Sequence, residues 1–239
     1  MKKLRFRKIF CLMALMAVIW CVAAPCQAFS PNPSPIAETA APPALRDGEV
    51  MDYFAELVFD AEYGGGDTQN ALKRWEQPIR VRVYGNPTEQ DLATLNRHID
   101  DLNQVENMPD IQLVNANENM QIFFVPLDDI HNHIDGYVEG NWGFFWGWWN
   151  GDWQMTDAQI AIATDVTDQR QRNHLILEEF TQALGIMQDS MQYPDSIFYG
   201  RWTEAQQLSP LDWTVVRMVY SPGIQAGMTA AEVIDRLRQ

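Results

Sequence analysis

The sequence predicts an α+β domain in which a mixed, twisted sheet lies over one central helix and the C-terminal part is mainly helical. Three observations carry that expectation. Several short segments alternate or run apolar as strands do, and one long amphipathic helix separates the first from the rest. The last strand-like segment leads directly into an apolar helical stretch, Asn173 to Ser190. Beyond it, only helix-start signals follow.

The elements follow in order. Val50, Tyr53, Phe54, Leu57 and Val58 form a helical stripe that opens the domain near Glu49 and closes at Gly64-Gly65-Gly66. A short helix from Thr68 to Trp75 is expected next, before Pro78. Ile79 to Tyr84 alternates as a strand, and Gly85-Asn86-Pro87 turns the chain. Thr88 with Asp91 forms an N-cap pair, and Leu92, Leu95, Ile99 and Leu102 mark the long helix behind it. Ile111 to Val114, Met120 to Val125 and Gln159 to Thr164 read as further strands. Ser209-Pro210 starts a helix with serine at the N-cap and proline at the first position, and Thr229 to Glu232 is a capping box opening the last one.

The central helix carries the chemistry. Leu177, Phe180, Ala183 and Leu184 recur at helical spacing, and Gly185 is a natural stop. Glu178 and Gln182 lie four apart and so share a face, with Glu179 one step round. The pairing expected from that spacing is a hydrogen bond between Glu178 and Gln182. His174, one turn earlier, either faces the same site or serves as a helix-start residue.

Written as E-E-x-x-Q-x-L-G-x-x-Q, the segment resembles the zinc-peptidase helix H-E-x-x-H-x-x-G-x-x-H. In that motif two histidines one turn apart and a third beyond the glycine hold zinc, and the glutamate is the general base. The resemblance implies Glu179 as candidate base and Gly185 as the structural turn. It places Glu178, Gln182 and Gln188 at the three ligand positions, a degenerate set, because neutral amides are poor substitutes for imidazole. The wider segment, with Gln188-Asp189-Ser190, Ser196-Ile197-Phe198, Val219-Tyr220-Ser221-Pro222 and Ala226-Gly227-Met228, is similar to a family of secreted bacterial proteins, domain of unknown function 2927. These likenesses imply a zincin-like fold, in which strand, helix, strands and central helix follow the order of a metzincin upper lobe. No segment matches the methionine turn that floors a metzincin zinc site.

Composition bounds the setting. Residues 1–28 have a basic start, an apolar run from Ile9 to Ala24 and small residues before a cleavage point after Ala28, the pattern of an export signal. That segment contains Cys11, Cys21 and Cys26, the full set of three cysteines, so the remaining chain has no thiol chemistry. It also contains five of the seventeen Lys and Arg and no Asp or Glu, which leaves 12 basic against 32 acidic residues and a net charge of −20. Such a chain is repelled by nucleic acid and by anionic membranes. Residues 29–48 are rich in Pro, Ala and Ser and read as a disordered linker, with the domain at 49–239. The expected location is outside the cytoplasm, at the cell surface or in the periplasm, without a stable membrane span once the signal is removed.

Trp142 to Trp153 is the most biased stretch, with glycines at 143, 147 and 151. It is expected as a loop or hairpin, either packed on the sheet or displayed as an aromatic platform through Trp142, Trp146, Trp148, Trp149 and Trp153. His131 and His133 among Asp128, Asp129 and Asp135 are expected as a solvated acidic loop, with a metal cluster as the lesser reading. The function expected from these features is a pseudopeptidase that binds a peptide, protein or glycan and needs no cofactor. One alternative is an active hydrolase that holds a divalent ion and uses Glu179 as base. Another is a carbohydrate-binding surface protein that uses the tryptophans.

Overall fold

The computed structural model describes residues 47–59 and 71–239, so the expected export signal, most of the linker and the Gly64–Gly66 turn lie outside the described residues. Helix α1 spans Asp47–Phe59, strand β1 Ile79–Gly85, helix α2 Glu89–Leu102, and strands β2 and β3 Ile111–Leu113 and Met120–Val125. Strands β4 (Gly143–Trp149) and β5 (Met155–Ala163) form a hairpin, and helices α3 (Gln169–Gln182), α4 (Pro210–Val219) and α5 (Ala230–Leu237) complete the chain. The five strands make one mixed sheet in the order β2-β1-β3-β5-β4. All neighbours are parallel except the antiparallel edge pair β4–β5. Among the described helices none is long and apolar enough to cross a membrane.

One sequence expectation changes here. Ala71 to Trp75 is not helical: Ala71 bridges to Thr229 and Arg74 to Gln154, so this stretch is extended and tied to two distant segments. The tryptophan-rich segment takes the hairpin form expected for it, as edge strand β4 and its turn, with a register shift between Trp148 and Trp149. Alternation of faces explains the composition. Phe145 and Trp149 face the helices, while Phe144, Trp146 and Trp148 face the opposite side with Phe123, Val125 and Ala161. That outer face is itself covered, because Ile130, Ile134, Tyr137 and Val138 from the connection before β4 pack over it.

The helices cover the other face through Ile79, Val81, Met120, Ile122, Phe124, Ile160 and Ile162, which pack with Leu95, Ile99, Leu175, Ile176 and Phe180. Four of the helices begin with capping boxes, at Thr88/Asp91, Asp168/Gln171, Ser209/Asp212 and Thr229/Glu232. Helix α2 is locked to α3 by polar contacts as well as packing. Asp91 accepts from Arg172 Nε at 3.1 Å, Thr94 donates to Asn173 at 3.1 Å, and His98 Nε2 meets Thr181 Oγ1 at 2.9 Å. Because the Thr181 hydroxyl donates to Leu177 O at 2.6 Å, His98 is the donor in that last contact. Burial, with the nearby Arg97 charge as a smaller cause, pushes the His98 imidazole down to about 3.

The segment after α3 is organised by one buried acid. Asp212 is fully buried and accepts from Ser196 Oγ (2.6 Å), Ile197 N–H (3.0 Å) and Ser209 N–H (2.7 Å). Tyr53 of α1 in turn donates to Ser196 Oγ at 2.7 Å. The Ser196-Ile197-Phe198 motif is therefore a structural joint between α1 and α4. Burial raises the Asp212 carboxyl above its ordinary range, and the hydrogen bonds oppose that.

Two outcomes test these joints. Asp212→Ala should lower unfolding free energy by about 3 kcal/mol or more, because three buried donors lose their acceptor; a denaturant titration gives the number. The His98 pKa is depressed in the folded state, so its contribution is present above the ordinary value of about 6.5 and is lost as pH falls toward 3. Stability measured across that window should fall with acid in the native chain and fall less in His98→Gln.

Candidate functional site

Helix α3 is unusual in that every residue from Arg172 to Gln182 is buried. Its polar side chains therefore need partners inside the protein. Glu178 and Glu179 diverge by about 100° around the helix and meet different surroundings. Glu179, 1% exposed, lies against the start of edge strand β4. There the absence of a side chain at Gly143 makes room: a Cβ on that residue would sit 2.8 Å from Glu179 Oε1 and 2.7 Å from Leu175 Cδ2. Gly143 is thus a close-approach position that lets the carboxylate reach the sheet edge.

Glu178 is 3% exposed and its Oε2 lies 3.3 Å from His174 Nε2, one turn earlier on the helix. The other ring nitrogen, Nδ1, faces the Ala205 carbonyl at 3.3 Å and must be a donor there. The His174 ring stands edge-on to Trp202 at 5.7 Å between centroids, and Trp202 stands edge-on to Trp142 at 5.3 Å. Trp202 is 38% exposed and forms the outer wall. Gly140, Asn141, Trp142 and Gly143 form the opposite wall, with Leu175, Glu178 and Glu179 at the base. The space accessible to the centre of a water molecule is about 20 Å³, room for about one water beside the two carboxylates.

The other sequence-predicted positions have partners beyond the Glu178–Gln182 pair. Gln182 Nε2 donates to Asp189 Oδ1 at 2.7 Å, and Glu178 takes the imidazole of His174. Gln188 is buried, and its backbone N–H donates to Leu57 O of α1 at 3.1 Å. Gly185 has φ +112°, and a Cβ there would come within 2.0 Å of the Lys73 carbonyl oxygen. The glycine therefore serves both the turn after α3 and a backbone crossing.

The five tryptophans do not form one exposed platform. Trp146 is buried, against Gly136 of the covering connection. Trp149 and Trp153 stack on each other at 6.5 Å, and the Lys73 ammonium lies 5.6 and 5.2 Å from their ring centres. Burial lowers the Lys73 pKa to about 8. Trp148 lies on the outer sheet face beside Gln121 and Gln159, and only Trp142 joins the Glu178/Glu179 cleft. His133 pairs with Asp129 at 2.9 Å and its ring stacks on Phe123. Among the described residues no group of three or more His, Cys, Asp or Glu is placed to hold a metal ion.

Reasoning from the sequence missed Gly143, Asp189 and Trp202. Asp189 was adjacent to the motif and so within reach of it. Gly143 and Trp202 depend on sheet pairing and loop return, for which one sequence carries no local signal. The donor set at the three ligand positions, one carboxylate and two carboxamides, does not fit zinc, and the Gln182 amide nitrogen is committed to Asp189.

A family model described as "Protein of unknown function (DUF2927)" matches residues 47–239. Among solved structures, "Crystal structure of myroilysin" is similar at 14% identity and TM-score 0.40, covering 70% of this chain and 95% of that one. "Structure of Myroilysin" is similar at 14% identity and TM-score 0.41, covering 75% of this chain and 98% of that one. No curated protein matches the chain.

Gln182→Leu removes the amide that Asp189 accepts from, and should cost about 1–3 kcal/mol. Equilibrium unfolding of the variant measures the loss, and an unchanged midpoint would show that the Gln182–Asp189 contact does not support the turn after α3.

Proposed function

We propose that this chain, which belongs to the DUF2927 family, is an exported pseudopeptidase: a zincin-like scaffold that binds an extended peptide along edge strand β4, over the small cleft at Glu178 and Glu179. The observation that carries this reading is the pairing at two of the three ligand positions. Glu178 is engaged by His174 and Gln182 by Asp189, so these side chains serve the protein's own hydrogen bonding. The base position, Glu179, sits beside the sheet edge. Strand β4 has β5 as its partner among the described strands, and a sheet edge offers backbone donors and acceptors to an added strand. Trp142 and Trp202 flank that edge with apolar surface for side chains of the bound segment. The net charge of −20 outside residues 1–28 disfavours acidic ligands and favours basic or neutral peptides.

The test uses residues 29–239 as a purified chain and a fluorescently labelled pool of unstructured basic peptides. Saturable binding without cleavage is expected, and Glu179→Gln should show no loss of hydrolysis because there is none to lose. Cleavage by the native chain that disappears in Glu179→Gln would overturn the reading in favour of an active hydrolase. A complementary variant carries Glu178→His, Gln182→His and Gln188→His together. It should gain stoichiometric zinc measured by elemental analysis, whereas a folded triple variant that binds none would remove the zincin-like placement of these positions.

A further inference from the structure

A second and larger cleft lies on the other side of α3. It is about 720 Å³, within the range of small-molecule sites, and Leu177 of α3 lies at its base. One wall is a face of α2 made by Arg97, His98 and Asp101. The other is a face of α4 made by Pro210, Trp213, Thr214 and Arg217, whose spacing of three and four puts them on one stripe. Gln206, Gln207 and Leu208 close one end.

The charge of this cleft is opposite to that of the chain. Arg97 and Arg217 face it from separate helices, against the single acid Asp101, in a protein whose net charge is −15. Neither guanidinium has an ion-pair partner among the described residues. Arg217 is instead held over the Trp213 ring at 5.9 Å, which fixes a planar donor fork beside an aromatic surface. The His98 ring meets the same tryptophan at 6.4 Å, so Trp213 is supported from the α2 side as well. The N-terminus of α4 offers little to an anion, because Pro210 has no N–H and Ser209 takes the Asp212 amide. Any recognition of negative charge here falls to the two arginines.

We infer that this cleft binds a small aromatic oxyanion, a carboxylate or phosphate, with its charged group between Arg97 and Arg217 and its ring against Trp213. The planar fork of arginine suits both oxyanions, and the exposed Gln207 amide adds a neutral polar group along the rim. The site is separate from the Glu178/Glu179 cleft and does not depend on what that cleft binds.

Calorimetric or NMR titration of residues 29–239 with benzoate, phenyl phosphate and the uncharged benzamide tests it. At least one of the two anions should bind saturably, one per chain, and roughly tenfold more tightly than benzamide. The stronger of the two anions identifies the headgroup. Arg97→Gln and Arg217→Gln should each weaken that anion roughly tenfold, and Trp213→Leu should weaken all three ligands. Glu179→Gln, in the other cleft, should leave binding unchanged. Because Arg97 and Arg217 are exposed, both variants should keep the native circular dichroism and unfolding midpoint. Equal binding of benzamide and the anions, no binding of any probe, or arginine variants that bind as the native chain does would each overturn the inference.

Discussion

The rest of the structure depends on the burial of α3 from Arg172 to its C-terminal end. A helix that is half exposed can leave its polar side chains and last carbonyls to water; this one cannot. Its C-terminal carbonyls are met by side chains from far along the sequence: Trp75 Nε1 donates to Ala183 O at 2.9 Å and Tyr220 OH to Leu184 O at 2.9 Å. Arg74, next to Trp75, donates to Val219 O and Ile224 O and lies over the Tyr220 ring. The extended stretch at Ala71 to Trp75 and the end of α4 are thus both built onto the end of the helix. Gly185 has to be glycine because the chain leaves the helix against the Lys73 carbonyl.

The same burial explains why the two clefts lie back to back. Helix α3 offers Leu175, Glu178 and Glu179 to the β4 side and Leu177 to the side of α2 and α4. Lateral support comes from α2 through Asp91, Thr94 and His98, so Glu178 and Glu179 sit on a helix fixed along its whole length. A rigid helix places side chains more reproducibly than a loop does. Any ligand at either cleft would meet a preformed wall.

Much of this was legible in the sequence where the signal is local. The strands β1 to β3, the helix α2 and the capping pairs at Thr88, Ser209 and Thr229 follow from periodicity and turn chemistry over a few residues. The α+β class followed from their order. The failures are of two kinds. Glycine at every fourth position hid β4, because Gly143 and Gly147 are small for contact with Glu179 and Met155 rather than for flexibility. Ala71 to Trp75 reads as helical, but bridges to Thr229 and Gln154 override that local preference. At the site, the motif identified Glu178, Glu179 and Gln182 but not their partners. His174 lay within one turn, whereas Trp202 and Gly143 arrive through tertiary return.

The energetics of Glu178 and Glu179 bear on what the helix is for. Two adjacent ionisable groups at 3% and 1% exposure are a net cost even when each is hydrogen-bonded, since desolvating a carboxylate takes several kcal/mol that its contacts only partly recover. Apolar residues of similar volume at both positions would pack into the same helix and would often be neutral or stabilising. The contrast with Asp212 is instructive. That acid is equally buried, but it satisfies three donors and joins two helices, so its cost has a structural return. Glu179 lies beside edge strand β4 at the base of the cleft, next to space for about one water molecule. A carboxylate buried at that cost at the base of a cleft is what the proposed peptide-binding reading accounts for.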